Sequence, residues 1–281
     1  MPVQVGTSGW QYRDWRGLLY PPGLGQTRWL EHYARHFGTV ENNGSFYRLP
    51  AQATFAGWRD HTPDGFVMAV KASRYLTHVR RLRDPDEPVE RLIRAAAPLG
   101  GRLGPVLLQL PPSLPADPGA LDGCLAAFAR FRLAPDGELM RPGQPGARAA
   151  RRIRVAVEFR HDSWWDGETE RVLARHGAAL CWADRHGRPV TPLWHTAGWG
   201  YLRFHEGAAQ PWPRYGEQAL GSWVERIAAG RPDGADLLVY FNNDPGGAAL
   251  YDAATFASLA RRAGRTVTPT WAPDGSDPAR V

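Results

Sequence analysis

Eight short apolar runs, separated by stretches with helical spacing, constrain the fold of this chain more than any other feature. Strands buried on both faces of a parallel sheet read as near-continuous apolar runs, and amphipathic helices repeat apolar residues every three or four positions. Residues 26–37, for example, place Leu30, Tyr33 and Phe37 on one side of a helix. Eight rounds of strand and helix predict an α/β fold, a single (β/α)8 TIM barrel. The predicted strands are Val3–Thr7, Thr39–Glu41, Phe66–Lys71, Pro105–Leu110, Ile153–Glu158, Ala178–Ala183, Gly200–Phe204 and Leu237–Phe241.

Three segments depart from this alternation. Residues 184–197 are rich in Gly, Pro, His and Trp, so the helix between strands six and seven is predicted to be short or absent. Leu133–Ala147 contains three prolines and three glycines, which predicts a flexible insertion before strand five. The chain is again rich in Pro and Gly from Thr266 onward. We therefore predict a barrel domain over residues 1–265 and a C-terminal tail over 266–281.

Composition narrows the class of protein and its surroundings. The chain has 281 residues, of which 43% are apolar, enough for one large α/β core. It contains no apolar run long enough for a membrane helix, and the first strand begins without a signal peptide. Cys124 and Cys181 form no Cys-x-x-Cys pair, which is typical of buried thiols in a reducing compartment. We therefore expect a cytoplasmic protein with no membrane partner.

Polar side chains gather where the predicted strands end. Barrel enzymes place their chemistry at the C-terminal ends of the strands, whereas the opposite ends serve stability. In this chain the opposite ends carry mainly Gly, Ala, Thr and Pro. This asymmetry predicts a functional site at the C-terminal face. The residues that we expect to contribute are Trp10, Tyr12, Glu41, Asn43, Tyr47, Lys71, His78, Gln109, Glu158, Arg160, His161, Trp164, Asp184, Arg203, Asn242 and Asp244.

Six motifs lie in order along the chain. They are VGTSGW at 5–10, VENNGSFYR at 40–48, KAS at 71–73, LQLPP at 108–112, VEFRHDSW at 157–164 and YFNND at 240–244. Together they resemble the YecE-like family, a group of intracellular TIM-barrel proteins catalogued as a domain of unknown function. The resemblance covers nearly the whole chain and implies the fold, but it implies no reaction. Gly44, where the family pattern has Ser or Asn, and the long insertion before strand five are the two departures.

Two carboxylates suggest an enzyme, most simply a hydrolase of glycosides or phosphoesters. Glu41 and Glu158 end strands two and five, three apart in a ring of eight, so they could face each other across its mouth. Two carboxylates across a substrate suit general acid/base hydrolysis. In the competing interpretation, Glu158 forms an internal ion pair with Arg203 or Lys71 and does no chemistry. The expected apolar platforms for a substrate are Trp10, Tyr12, Tyr47 and Trp164.

Cationic side chains at the same face suggest an anionic ligand. Lys71, Arg160 and Arg203, with His78, His161 and His205, could surround a phosphate, carboxylate or sulfate, because guanidinium groups suit such anions. The net charge of +6 agrees with an anionic ligand without requiring one. The partner would be a small-molecule or phosphorylated substrate, and nucleic acid is the alternative, bound with or without chemistry. We expect four further residues to position it, namely Asn43, Gln109, Asn242 and Asp244.

A metal site is the weaker option. Glu41, Glu158, Asp184, His161 and Asp244 could converge on a divalent cation. The chain has no His-x-His, no His-Glu-x-x-His and no cysteine pair, so no closed metal motif supports zinc. We therefore predict no cofactor and keep a carboxylate-bound divalent cation as an open alternative. The sequence does not indicate an oligomeric state.

Overall fold

A computed structural model describes residues 3–230 and 235–273 of the chain. Eight long strands follow one another in the order β1-β12-β11-β9-β8-β4-β3-β2. This is chain order with the first and second strands at its two ends, and it confirms the predicted α/β fold of TIM-barrel-like type with eight parallel strands. The strands are β1 (Val3–Thr7), β2 (Thr39–Asn42), β3 (Val67–Lys71), β4 (Leu103–Gln109), β5 (Arg132–Leu133), β6 (Leu139–Met140), β7 (Arg151–Arg152), β8 (Val155–Glu158), β9 (Ala179–Arg185), β10 (Arg188–Pro189), β11 (Trp199–Phe204) and β12 (Asp236–Phe241).

Helices connect most of the long strands. None in the described part of the chain is long and apolar enough to span a bilayer. Between β9 and β11 residues 186–198 contain the short strand β10 and no helix. The helices are α1 (Trp29–His36), α2 (Gly44–Tyr47), α3 (Gln52–Asp60), α4 (Asp86–Ala96), α5 (Pro118–Ala129), α6 (Gly167–His176), α7 (Gly216–Gly230) and α8 (Ala248–Arg262).

The chain divides into two compact units. The first unit comprises Met1–Glu41, Trp182–Leu193 and Gly198–Val281, and the second comprises Asn42–Cys181 and Trp194–Ala197. The predicted extent of one domain over residues 1–265 is not tested by this division and stays a prediction.

In the first unit β12 lies between β1 and β11 in parallel register, with Thr7 opposite Phe241 and Phe241 opposite Phe204. Phe204 and Phe241 stack with ring centroids 4.6 Å apart. The predicted tail begins inside this unit, because the Thr268 backbone N–H donates to the Val3 carbonyl oxygen at 3.0 Å and Trp271 is buried. Residues 274–281 of that tail lie outside the described residues.

In the second unit β4 pairs in parallel with β3 on one side and β8 on the other. All seven residues of β4 are buried, and Pro111-Pro112 follow one residue after the strand ends. Proline has no N–H to donate to a ladder, which favours the end of the strand there. The strand therefore delivers its last residue, Gln109, to the C-terminal end of the sheet.

The Pro/Gly-rich insertion of the second unit has a structure that its composition did not predict. Arg132–Leu133 pairs antiparallel with Leu139–Met140 and with Arg151–Arg152, giving a small three-stranded sheet. The Arg151 guanidinium donates to the carbonyl oxygens of Gly100 and Leu103 at 3.0 and 2.6 Å. These bonds tie the insertion to the start of β4, at the end of the strand remote from Gln109.

Candidate functional site

Glu41 is the centre of a buried polar cluster in the first unit. Its carboxylate is fully buried and accepts hydrogen bonds from Ser8 Oγ at 2.7 Å, Tyr201 OH at 2.6 Å and Arg203 Nη2 at 2.8 Å. Tyr201 and Arg203 are two apart on β11, so both side chains leave the same face of the strand. Burial raises the pKa of the Tyr201 hydroxyl, and the nearby Glu41 charge raises it further.

This cluster has the composition of a buried ion pair. An ionised carboxylate is tolerated inside a protein when a cation and hydrogen-bond donors compensate for lost water. Glu41 has both, because Arg203 is itself only 1% exposed. The arrangement resembles the ion pair that we considered for Glu158, with Glu41 as the carboxylate that contacts Arg203.

Asp184, which also belongs to the first unit, anchors a turn. Its carboxylate accepts from Trp223 Nε1 at 2.6 Å and from the Gly187 backbone N–H at 2.9 Å. Burial raises its pKa, while these two donors act in the opposite direction. The contacts hold the turn between β9 and β10, which is a structural task.

Asp244 follows β12 and is half-buried. Its Oδ1 accepts from Trp15 Nε1 at 2.6 Å. Burial raises the pKa of Asp244 to about 6, and the Asp14 charge contributes to the rise. Tyr12, whose hydroxyl donates to the Ser8 carbonyl oxygen at 2.5 Å, has a raised pKa because of burial and then the charge of Asp244. Asp244 can therefore exchange a proton near neutral pH.

Glu158 ends β8 in the second unit. Its side chain is 2% exposed, and Oε1 accepts from Arg160 Nε at 3.0 Å. Arg160 is 34% exposed, so the pair joins a buried carboxylate to a guanidinium that reaches solvent. Gln109 lies opposite Glu158 in the β4–β8 register and is also buried.

Lys71 ends β3 in the same unit. Its Nζ lies over the Phe46 ring, 4.4 Å from the centroid, and its carbonyl oxygen accepts from Ser45 Oγ at 2.7 Å. Phe46 belongs to the four-residue helix α2, which follows β2 directly. Packing against the ring fixes the ammonium group, so a flexible lysine is positioned before any ligand binds.

His78 also packs against Phe46, with ring centroids 5.1 Å apart. It is carried by a π-helix, Tyr75–Val79, and its Nδ1 is 2.9 Å from Thr77 Oγ1. Burial lowers the pKa of His78, and the positive charges of Arg74, Lys71 and Arg160 lower it further. The imidazole is therefore neutral at pH 7 in the absence of an anion.

The predicted aromatic platforms differ in accessibility. Trp164 is fully buried, stacks on Phe159 at 4.5 Å and donates from Nε1 to the Leu114 carbonyl oxygen. Trp10 is 5% exposed. Rings without exposed faces offer no stacking surface, so both act in packing here. Tyr47, in contrast, is 83% exposed.

Three predicted residues remain, namely His161, Asn43 and Asn242. His161 Nδ1 accepts from the Ser163 backbone N–H at 3.2 Å, which caps the short turn of residues 162–164. Asn43 precedes α2 and is half-buried, and Asn242 is exposed beyond β12. The contacts of Asn43 and Asn242 do not assign a role to either residue. That they position a ligand therefore stays a prediction.

Each of the two units therefore brings some of the predicted residues together. The first unit brings together Glu41, Arg203 and Tyr12 near Asp244, and the second brings together Glu158, Arg160, Lys71 and His78. Within residues 3–230 and 235–273, no three His, Cys, Asp or Glu side chains are grouped so that they could hold a metal ion.

Several contributors were not predicted. Tyr201 precedes the predicted Arg203 by two residues, so strand alternation could have identified it. Arg74 and Thr77 gave no usable signal, because the sequence does not reveal that residues 75–79 form a π-helix. Ser8 and Ser45 are small polar residues next to predicted ones, and only the fold shows which carboxylate or carbonyl they contact.

Comparison with known proteins identifies relatives along most of the chain. UPF0759 protein YecE of Escherichia coli K12 is 35% identical over 109 residues, a match that spans 39% of this chain and only 38% of that protein. UPF0759 protein YunF of Bacillus subtilis is 25% identical over 275 residues, covering 87% of this chain and 90% of that protein.

Solved structures share the fold. The DUF72 family protein TM1631 of Thermotoga maritima has a TM-score of 0.69 at 27% identity and covers 93% of this chain and 100% of its own. The DUF72 family protein EF0366 of Enterococcus faecalis has a TM-score of 0.71 at 17% identity over 92% and 95% of the two chains. SacUVDE is more distant, with a TM-score of 0.50 at 9% identity over 94% and 99%. The profile of the family described as "Protein of unknown function DUF72" matches residues 4–277, and the chain therefore belongs to the DUF72 family.

Proposed function

We propose that this protein hydrolyses a phosphoester whose phosphate binds at the C-terminal ends of β3 and β8. The observation that carries the proposal is that Lys71 Nζ and the His78 ring both lie against Phe46, at 4.4 and 5.1 Å from its centroid, where the positive charges of Arg74, Lys71 and Arg160 lower the pKa of His78. Ammonium and guanidinium groups are the usual protein ligands of phosphate. A bound dianion would offset the mutual repulsion of these groups.

The proposed chemistry uses Glu158 as the proton carrier. Water attacks phosphorus while Glu158 accepts its proton, and the bond between phosphorus and the leaving oxygen breaks with its electron pair on that oxygen. Glu158 then returns the proton to the leaving group, so the carboxylate is regenerated. Lys71 and Arg160 would stabilise the charge on the phosphoryl oxygens, the usual main source of rate in such reactions.

Glu41 has a different part in this proposal. Ser8, Tyr201 and Arg203 donate hydrogen bonds to its carboxylate, which is fully buried. We assign it to holding Arg203 and Tyr201 in place. Its catalytic role remains a prediction from the sequence.

One solved structure of the same fold has a name that indicates an enzyme acting on nucleic acid. SacUVDE is a UV damage endonuclease, and its likeness to this chain extends to the fold alone. A nuclease acts on phosphodiesters, so a nuclease-like reaction agrees with the cationic group around His78. The substrate class of this chain is therefore part of our proposal and does not follow from the fold.

A second candidate function is binding of a phosphorylated ligand without chemistry. The direct hydrogen bond from Arg160 Nε to Glu158 Oε1 favours it, because that contact engages the carboxylate proposed as base. Replacement of Glu158 distinguishes the two candidates, since binding by Lys71 and Arg160 does not need its proton transfer.

The test is a comparison of Glu158→Gln with wild type on nitrophenyl phosphate monoesters and diesters and on nitrophenyl glycosides, with and without added divalent cations. We expect phosphoester hydrolysis by wild type and a loss of about 100-fold or more in kcat for the variant, the usual effect of removing a general base. Asp162→Asn, which alters an exposed carboxylate nearby, is the control and should keep full activity.

Three outcomes contradict the proposal. Glycoside hydrolysis without phosphoester hydrolysis would show that the substrate is a glycoside and not a phosphoester. Equal activity of Glu158→Gln and wild type would remove Glu158 from the chemistry. Phosphate binding without any turnover would favour the binding function.

A further inference from the structure

A cleft beside the proposed phosphate site is open to solvent and has aromatic and basic walls. Its volume is about 590 Å³, and it lies entirely within the second unit. The walls that matter here come from α2, from the π-helix Tyr75–Val79 and from α4, and they include Tyr47, Arg48, Arg74, Tyr75, Glu87 and Arg91.

Two tyrosines present exposed rings along this cleft. Tyr47 is 83% exposed and Tyr75 is 44% exposed, so both rings have faces open to solvent. Arg80 supports Tyr75 from outside, with its Nε 2.9 Å from the tyrosine hydroxyl and its guanidinium 5.4 Å from the ring centre. Tyr47 packs edge-on against Phe46 at 5.1 Å, which limits its rotation.

The arginines of the cleft are available to a ligand. Within residues 3–230 and 235–273, Arg48, Arg74 and Arg91 form no salt bridge, and all three are exposed. Glu87 is the acidic residue of this lining, so positive charge is in excess. The charge of the cleft therefore fits a polyanion.

Contacts connect the cleft to the proposed phosphate site. Phe46 touches Tyr47 on one side, while Lys71 Nζ and His78 lie against the same ring. An exposed aromatic face thus lies one side chain away from the cations that would hold a phosphate. Exposed aromatic rings alternating with cations are how proteins bind single-stranded nucleic acid, by base stacking and phosphate contacts.

We propose that this cleft binds single-stranded nucleic acid, with bases on Tyr47 and Tyr75 and the backbone along Arg48, Arg74 and Arg91. The inference names the substrate class for the phosphoester site and in that respect rests on the proposed function. Binding itself does not depend on catalysis, so the two can fail separately.

The experiment measures fluorescence anisotropy of a labelled dT12 oligonucleotide with the full chain at several salt concentrations. We expect Tyr47→Ala to bind about tenfold or more weakly, in line with the loss of one stacked base, and Tyr47→Phe to bind like wild type. The triple variant Arg48→Ala, Arg74→Ala, Arg91→Ala should bind still more weakly and show a shallower dependence on salt, because fewer counterions are released.

The matched control removes three exposed arginines of the same unit outside the cleft, Arg148, Arg152 and Arg171. It has the same net charge as the triple variant, so it separates the cleft from general attraction. Equal binding by the two triple variants would overturn the proposal, as would a duplex that binds as tightly as the single strand. A loss with Tyr47→Phe equal to that with Tyr47→Ala would also contradict stacking.

The two proposals fail in different ways. One outcome is that Glu158→Gln binds dT12 like wild type but neither protein cleaves a phosphoester. In that case the nucleic-acid-binding proposal is supported and the hydrolase proposal is wrong. If wild type cleaves small phosphoesters and neither binds nor cleaves dT12, the hydrolase stands and the cleft proposal is wrong.

Discussion

Glu41 and Asp244 are carboxylates near strand ends of the same unit. Their surroundings differ in how strongly they stabilise a negative charge. Glu41 receives hydrogen bonds from the Ser8 and Tyr201 hydroxyls and from the Arg203 guanidinium. Asp244 receives one from the neutral indole of Trp15 and lies near the charge of Asp14. The sequence indicated both as polar residues at strand ends, but it could not show which donors surround each one. Those donors come from residues far away in the chain.

Loss of Arg203 should destabilise the protein strongly. Arg203→Met leaves the Glu41 carboxylate buried without its cation, and breaking a buried pair typically costs about 3–5 kcal/mol. The measurement is the free energy of unfolding in urea. Arg262→Met removes an exposed pair with Glu217 in the same unit, with side chains 60% and 70% exposed, and should cost less than about 1 kcal/mol.

The double variant Glu41→Gln, Arg203→Met makes this test specific. It removes both charges together, so it should recover part of the stability that Arg203→Met loses. If Arg203→Met lost no more stability than Arg262→Met, the ion pair would not stabilise the fold.

Asp244 should make stability depend on pH. Its pKa is about 6 in the folded protein, above its ordinary value of 3.8, so the folded state binds a proton more tightly than the unfolded chain does. The resulting stabilisation is complete below about pH 4 and is lost as the pH rises through 6. Asp244→Asn lacks this proton, so its stability relative to wild type should increase between pH 4 and 7.

Unfolding curves of wild type and Asp244→Asn across that range provide the measurement. Asp14→Asn should shift the midpoint of the pH dependence downward, because a neighbouring negative charge is removed. A stability difference that stays constant from pH 4 to 7 would contradict the raised pKa.

At the scale of elements, β1 and the start of β2 approach each other closely inside the first unit. A Cβ added to Gly6 would lie 2.3 Å from the Thr39 carbonyl oxygen, too close for any side chain. Thr39 is two residues before Glu41, so this approach also places the polar cluster. The VGTSGW motif thus contains one glycine that the packing of two strands requires.

Gly6→Ala should therefore destabilise the protein by about 1–3 kcal/mol, the usual cost of overpacking. Gly123→Ala is the matched control, because Gly123 is exposed within α5 and an added Cβ meets nothing within 4 Å. Alanine is favoured over glycine in helices, so Gly123→Ala should raise the melting temperature slightly. Equal melting temperatures for Gly6→Ala and wild type would show that β1 and β2 can move apart without a loss of stability.

Elements were predictable where apolar spacing was long and regular. The helix predicted within residues 26–37 from Leu30, Tyr33 and Phe37 is observed as α1, Trp29–His36. The sheet of the insertion was not predicted, because two-residue strands carry no periodic pattern. The same holds for α2, whose four residues place Phe46 between Lys71 and His78.

At the scale of the whole molecule, the order of the eight strands was the most predictable property. Each parallel strand in a β/α fold needs its own apolar run, and every predicted run coincides with one observed strand. Composition could not predict that Thr266–Trp271 would pack on the first unit, because Pro and Gly are equally common in loose and in ordered irregular segments. The contacts among the predicted site residues were not predictable, since pairings such as Glu41 with Arg203 span 162 positions.

The π-helix that carries His78 has an evolutionary consequence. Its closing bond runs from the Arg80 N–H to the Tyr75 carbonyl oxygen, one residue more than an α-helical turn encloses. Deleting one residue between them would restore ordinary α-helical spacing and turn His78 by about 100° around the helix axis. Insertion or deletion of a single codon is therefore sufficient to introduce or remove an imidazole beside Phe46, with the apolar strands below left unchanged.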